Sequence, residues 1–91
     1  MREDEQFWEL IDYPVTTEKA VRIIEDENKL TFQLKKISTN KEEIKKSFEG
    51  EFKVKVEKIN ALINRKGKKR IIIKLKKEFP AGDIGVKLGI I

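Results

Sequence analysis

The sequence predicts an α+β domain of element order β-(α)-β-α-β-β, with a mostly antiparallel four-stranded sheet and helices packed on it. Three observations support this prediction. The chain has 91 residues, enough for one domain with a single core. Apolar residues alternate with polar ones in several short segments, as in half-buried strands, and recur every three or four positions in others, as in amphipathic helices. Capping and turn residues separate these segments.

The N-terminal segment MREDEQFWE has few residues with which to pack. Residues 1–9 are therefore predicted to be a flexible extension of a single domain over residues 10–91. The following residues, IDYPV, are predicted to form a short strand, because Pro14 restricts Tyr13 to extended backbone geometry.

A first helix is predicted over TTEKAVRIIEDE. Thr16 or Thr17 caps this helix, and Glu18 lies in its first turn, where the helix dipole favours a carboxylate. Three acidic residues in a row are unfavourable at a helix C-terminus, so the helix should end near Asn28. Its buried stripe is predicted to consist of Ala20, Val21 and Ile24.

A strand and a second helix follow. KLTFQLKKI alternates, which predicts a half-buried strand with inward side chains Leu30, Phe32 and Leu34. In STNKEEIKKSFEGEF, Asn40 or Thr39 is the expected helix cap, and Glu43 or Glu42 completes a capping box. The core face of this helix is predicted to consist of Ile44, Phe48 and Phe52.

The last two strands are predicted to form an antiparallel hairpin with Gly67 at its tip. In KVKVEKINALIN the apolar positions change parity between Val56 and Ile59, which predicts either a bulge or a late strand start near residues 57–58. The partner strand KRIIIKLKK has the inward side chains Ile71, Ile73 and Leu75.

The tail FPAGDIGVKLGII predicts a short last helix. Pro80 suits its first turn, and Gly89 suits a left-handed stop. Ile84 and Leu88 lie on the side of this helix that is predicted to be buried.

The composition excludes several kinds of site. The chain has no cysteine and no histidine, which excludes disulfides, Cys/His zinc sites and Ser-His or Cys-His catalysis. No cofactor is expected. The N-terminus is acidic and unlike a secretory signal, and no stretch approaches the roughly 20 apolar residues of a transmembrane helix. We expect a cytoplasmic protein without membrane insertion.

Charge is distributed unevenly along the chain. Residues 1–28 contain three basic and nine acidic side chains, whereas residues 29–91 contain 18 basic and seven acidic ones. The resulting net charges of −6 and +11 predict a polyanionic partner for the basic part, with the acidic part facing away from that partner.

The basic residues are densest in NRKGKKR, residues 64–70, where five of seven side chains are cationic. A solvated turn that protects a sheet edge is one explanation, but one or two charges would suffice for that. Five charges add self-repulsion, which favours a phosphate-binding surface. Because Phe32 and Phe52 are predicted to face the core, the sheet lacks the exposed aromatic pair of an RRM, and structured RNA is favoured as the ligand. The flanking cations are Lys55, Lys58, Lys74 and Lys76.

Five segments together resemble one protein family in their order and spacing: IDYPVTTEKA, NKLTFQL, TNKEEIKKSFE, VEKINALINRKGKKRIIIKL and AGDIGVKLGII. They are similar to the universal large-subunit ribosomal protein number twenty-three, and the short hairpin and LGI ending resemble its archaeal and eukaryotic type. The resemblance extends from about Leu10 to Ile91. It implies a non-enzymatic protein that binds large-subunit rRNA beside the exit of the nascent-polypeptide tunnel.

The resemblance also implies residue roles. Glu18 matches a glutamate through which bacterial members contact a ribosome-bound chaperone, and it is equally explained as a first-turn carboxylate. Lys19 is either a phosphate contact or a solvated helix residue. Tyr13 and Trp8 either stack on a partner or pack locally. The RNA-binding positions are implied to be Asn64, Arg65, Lys66, Lys68, Lys69, Arg70, Lys35, Lys36, Thr17 and Lys19. The implied partners are large-subunit rRNA, neighbouring large-subunit proteins, signal recognition particle, nascent-chain chaperones and the translocon.

Two other functions are compatible with parts of the sequence. A free-standing basic nucleic-acid-binding module would share the charge pattern. A magnesium-dependent nuclease would need paired carboxylates, but neighbours on a helix, as in Glu42–Glu43 or Asp26–Glu27, point in different directions and hold a metal poorly.

Overall fold

The computed structural model describes residues 3–36 and 39–90, in which four helices cover one face of a four-stranded sheet. The elements are α1 (Glu3–Leu10), β1 (Ile11–Pro14), α2 (Glu18–Glu27), β2 (Lys29–Leu34), α3 (Lys41–Phe52), β3 (Val56–Ile63), β4 (Lys69–Leu75) and α4 (Ala81–Lys87). The strand order is β1-β2-β4-β3, and each neighbouring pair is antiparallel. The predicted α+β class and its β-(α)-β-α-β-β order are confirmed.

The helices α2 and α3 begin where the sequence predicts. The hydroxyl oxygen of Thr17 accepts a hydrogen bond from Ala20 N at 3.2 Å, and Asn40 Oδ1 accepts one from Glu43 N at 2.8 Å. Each cap satisfies a backbone donor that the first helical turn leaves without a partner. At its other end, α2 stops at Asn28, whose φ of 57° lies in the left-handed region that asparagine tolerates well.

One hydrophobic core lies between the helices and the sheet. The ring of Phe7 packs edge-on against the rings of Phe32, Phe48 and Phe52, with centroid distances of 5.4, 5.3 and 5.8 Å. The strands contribute their inward side chains, as the alternation predicts. These are Ile11, Leu30, Phe32, Leu34, Val56, Ile59, Ile71, Ile73 and Leu75.

The N-terminal segment differs from the predicted flexible extension over residues 1–9. Residues 1 and 2 lie outside the described part of the chain, but Glu3–Leu10 is the helix α1, and Phe7 in it is fully buried. Burying a phenylalanine side chain contributes about 1.5–3 kcal/mol, and edge-to-face ring contacts add to this gain. This gain offsets part of the entropy that is lost when a short helix is ordered.

Two register shifts decide which way side chains point. The shift between Val56 and Lys58 in β3 confirms the bulge predicted near residues 57–58. A second shift, between Ile11 and Tyr13 in β1, is not predicted. It sets Tyr13 opposite Gln33, on the face of the sheet away from the helices, where the tyrosine is 46% exposed.

Candidate nucleic-acid interface

The sheet face opposite the helices, called here the open face, carries polar and basic side chains. Strand alternation and register arrange these side chains in three rows that cross neighbouring strands. The row nearest the hairpin tip and the row farthest from it contain cations, and the middle row is uncharged. The rows are Tyr13–Gln33–Arg70–Leu62, Thr31–Ile72–Asn60 and Lys29–Lys74–Lys58.

The hairpin tip, residues 64–68, is shaped by Asn64. Its Oδ1 accepts hydrogen bonds from Lys66 N at 2.9 Å and Lys68 N at 3.0 Å, and its backbone N–H donates to Lys68 O at 2.9 Å. Gly67 has a φ of 77°, which glycine adopts without strain. The side chains of Arg65, Lys66 and Lys68 are exposed on this ordered loop. Asn64 therefore positions the cations through its own oxygen.

Two open clefts meet at Lys68. The first, of about 360 Å³ and called here the tip cleft, is lined by Tyr13, Gln33, Asn64, Arg65, Lys66, Lys68 and Arg70. The second, of about 590 Å³, is lined by Asp12, Leu34, Lys35, Lys36, Gly67, Lys68 and Lys69. The C-terminal end of β2 and the hairpin tip lie at the same end of the sheet. Lys35 and Lys36, which follow β2, therefore lie close to the hairpin cations. The predicted hairpin residues are thus brought together with Lys35 and Lys36, the two lysines that follow β2.

The cations of the two clefts differ in how they are held. Lys69 Nζ donates to Thr39 O at 3.1 Å, and Arg70 Nε donates to Gln33 Oε1 at 3.4 Å. Both side chains are partly buried, so these internal contacts fix their positions. In the described residues, no carboxylate forms an ion pair with Arg65, Lys66 or Lys68. The hairpin tip thus carries three cations without an ion-pair partner among the described residues, on a turn that is hydrogen-bonded to Asn64.

The lysine row lies at the other end of the open face. Lys74 is opposite both Lys29 on β2 and Lys58 on β3. Like charges directly opposite on neighbouring strands destabilise a sheet. Glu27 lies 3.0 Å from Lys29 Nζ and Glu57 lies 3.7 Å from Lys74 Nζ, which offsets part of the repulsion. The sequence predicts Lys58 and Lys74 only as cations that flank the hairpin and does not single out Lys29, because the alignment of the three lysines depends on register.

One side of α2, along its whole length, forms a separate surface. An open groove of about 660 Å³ there is lined by Thr17, Glu18, Lys19, Arg22, Ile23, Asp26 and Glu27. It shares no lining residue with the two clefts, so the structure does not group Thr17 and Lys19 with the hairpin cations. The Thr17 hydroxyl is engaged as the helix cap. Glu18 Oε1 lies 3.2 Å from Arg22 Nη2, and the Glu18 side chain is 88% exposed.

Comparison with known proteins agrees with the resemblance in the sequence. The family model described as ribosomal protein L23 matches residues 9–81. The chain belongs to the ribosomal protein L23 family. The large ribosomal subunit protein uL23 of Methanococcus aeolicus is 42% identical over 83 residues, which cover 91% of this chain and 95% of that relative. The matched residues include both clefts and the α2 groove.

Family membership makes the chain a structural constituent of the large ribosomal subunit, with a cytoplasmic location and no enzymatic role. The recognition of the family from its motifs is confirmed. Among the residues that the structure describes, no helix is both long enough and apolar enough to cross a bilayer.

Proposed function

We propose that the chain binds large-subunit rRNA through the hairpin tip and the adjoining open face, beside the exit of the polypeptide tunnel. The observation that supports this proposal best is the convergence of the hairpin cations with Lys35 and Lys36 around two clefts that share Lys68. Lysine and arginine side chains gathered on one surface neutralise the phosphates of an RNA backbone.

The order of the loop supports the same proposal. The hydrogen bonds to Asn64 fix the backbone that carries Arg65, Lys66 and Lys68 before any ligand binds. Less conformational entropy is then lost when phosphates bind, which favours affinity. The tip is short, since Asn64 N already donates to Lys68 O. A tip of this length suits binding to rRNA near the tunnel exit better than reaching along the tunnel wall.

The lysine row extends the proposed interface across the open face. Lys29, Lys58 and Lys74 repel one another in the free protein, and phosphates placed over them would remove that repulsion. The free energy released would add to binding. The open face therefore has a reason to be basic that sheet stability does not provide.

We propose that the α2 groove faces outward and contributes to docking of factors that meet the emerging chain: signal recognition particle, nascent-chain chaperones and the translocon. Glu18 is highly exposed and lies with Asp26 and Glu27 on a surface that shares no residue with the basic clefts. The groove is lined by three carboxylates and two cations, and this mixed charge suits a protein partner better than the phosphates of rRNA. Glu18 is the residue we assign to docking.

Binding of the purified chain to full-length large-subunit rRNA, measured across a range of salt concentrations, tests the rRNA proposal. We expect the logarithm of the affinity to fall linearly with the logarithm of salt concentration, by about 0.7–0.9 for each phosphate contacted. Co-sedimentation with large subunits should survive moderate salt. Recovery of the chain only in ribosome-free fractions would contradict the proposal.

A further inference from the structure

Only one of the two polar atoms of the Gln33 side-chain amide has a hydrogen-bond partner among the described residues. Strand alternation places Gln33 on the open face, yet only 1% of its surface is exposed. Its Oε1 accepts a hydrogen bond from Arg70 Nε at 3.4 Å, whereas its Nε2 is buried and has no hydrogen-bond partner among residues 3–36 and 39–90. A buried NH₂ group without an acceptor costs free energy that an apolar side chain at the same position would avoid.

Arg70 fixes which end of the amide lacks a partner. If the amide were rotated by half a turn, Nε2 would face Arg70 Nε, and two donors would oppose each other. The oxygen must therefore point to Arg70 and the NH₂ group away from it. The oxygen is hydrogen-bonded to Arg70, so the unpaired group that Gln33 can offer to a ligand is the donor Nε2.

Gln33 lines the tip cleft together with groups suited to one nucleotide. Tyr13 is the direct cross-strand neighbour of Gln33, and nearly half of its surface is exposed. Arg65, Lys66 and Lys68 complete the wall from the hairpin side, and the described lining contains no carboxylate. An aromatic ring, a donor without an acceptor and several cations thus lie within one cleft.

We propose that the tip cleft binds a single unpaired nucleotide of RNA. Tyr13 stacks on the base, Gln33 Nε2 donates to an acceptor on the base edge, and the hairpin cations neutralise the flanking phosphates. The inference depends on the proposed rRNA binding and adds to it a position at which a base is recognised. A phosphate alone would satisfy the cations and Gln33 but would leave the exposed ring of Tyr13 without a partner.

The donor arrangement favours guanine among the four bases. A glutamine that reads adenine uses its oxygen for N6 and its nitrogen for N7, but the oxygen of Gln33 is held by Arg70. Gln33 Nε2 and the Arg70 guanidinium together present only donors. The neighbouring acceptors O6 and N7 of guanine match such a pair, whereas the N6 amino group of adenine opposes it.

Substitution of Gln33 separates base recognition from general phosphate binding. Gln33→Leu removes the donor without changing charge. We expect its affinity for full-length large-subunit rRNA to fall about tenfold, with an unchanged salt dependence. We expect the unfolding midpoint of the free protein to stay the same or rise, because the unpaired donor is gone. Thr16→Val, at an exposed position that lines neither cleft and lies outside the three rows of the open face, is the uncharged control and should bind like the wild type.

Tyr13 gives an independent test of stacking. Tyr13→Leu should weaken rRNA binding about tenfold, whereas Tyr13→Phe keeps the ring and should bind within about twofold of the wild type. Chemical probing of the complex should show one unpaired guanine that the wild type protects and that Gln33→Leu and Tyr13→Leu leave reactive.

The outcomes distinguish this inference from the proposed function. If the wild type binds rRNA but Gln33→Leu and Tyr13→Leu bind equally well with the same protections, the nucleotide site is overturned and rRNA binding stands. If the wild type does not bind rRNA, both fail. Should Gln33→Leu not fold, Gln33→Glu retains the contact to Arg70 and replaces the donor by an acceptor. Wild-type affinity in that variant would likewise overturn the site.

Discussion

Asn28 Oδ1 accepts a hydrogen bond from Ala81 N at 2.6 Å, across 53 positions of the chain. The same side chain donates through Nδ2 to Leu75 O at 3.1 Å, Lys76 O at 3.3 Å and Phe79 O at 3.1 Å. One asparagine in left-handed geometry therefore joins the end of α2, the end of β4, the following turn and the start of α4. This junction closes the end of the sheet opposite the hairpin tip.

Asn28→Ala should destabilise the protein by about 3 kcal/mol, because it removes the side-chain hydrogen bonds and because alanine tolerates a positive φ less well than asparagine. Denaturant unfolding of the purified protein measures the change. Asn28→Gly relieves the backbone strain and isolates the lost hydrogen bonds, so it should cost somewhat less. Asn60→Ala, on the open face, is the control and should stay within about 0.5 kcal/mol of the wild type. Equal stability of Asn28→Ala and Asn60→Ala would show that the junction contributes nothing.

Phe7→Ala should cost about 3 kcal/mol, because it empties a site enclosed by three aromatic rings. Trp8→Ala is the matched control: Trp8 is 41% exposed, and its loss should cost about 1 kcal/mol. Thermal unfolding of both variants checks the difference. A negligible effect of Phe7→Ala would support the flexible extension that the sequence predicts instead of a docked α1.

Lys74→Ser should stabilise the free protein by a few tenths of a kcal/mol at low salt, because it removes the centre of the lysine row. The gain should vanish at high salt, where like-charge repulsion is screened. The same variant should bind rRNA more weakly, with a salt dependence that is shallower by about 0.8. Lys45→Ser removes an exposed charge from α3 and should do neither. A destabilised Lys74→Ser would mean that the contact to Glu57 outweighs the repulsion.

Changing Arg65, Lys66 and Lys68 together to Ser should leave the fold intact, because all three side chains are exposed. Lys69 is kept, since it donates to Thr39 O and contributes to structure. We expect the salt dependence of rRNA binding to become shallower by about 2 and incorporation into large subunits to be lost. Circular dichroism confirms folding. Full occupancy of the triple variant in assembled subunits would exclude the hairpin tip as the main contact.

Glu18→Lys should weaken binding of signal recognition particle to ribosomes that carry the variant, because it reverses the charge of the exposed docking residue. Protein stability should change by less than about 0.5 kcal/mol, since the contact to Arg22 is an exposed helix pair. Glu25→Lys, also exposed on α2, is the control. The same loss in both variants would point to the general acidity of α2, and no loss in either would exclude Glu18.

Local sequence patterns predict most of the fold because each element carries its own signal. Thr17 and Asn40 mark the helix starts, and the change of parity after Val56 marks the bulge in β3. The strand order β1-β2-β4-β3 has no such local mark, since it depends on contacts between distant segments. The sequence does not predict the helix α1 for the same reason, because Phe7 packs against rings that lie far away in the sequence.

The candidate site was predictable in its charges and less so in its geometry. Charge density identified the hairpin cations, but the bulge that turns Tyr13 beside Gln33 lies in a strand of four residues, too short to show a parity change. Alternation predicts that Gln33 faces solvent; its burial arises from cleft neighbours on other strands. Asn28 gave no sign of its long-range hydrogen bonds beyond its position at a helix end.

The position of the Asn28 junction leaves the length of the hairpin open to evolutionary change. Residues inserted between Lys66 and Gly67 would extend the chain far from the segments that Asn28 ties together, and doubling a flexible loop costs only about 0.6 kcal/mol. Related proteins can thus differ in the length of this hairpin while keeping the same fold.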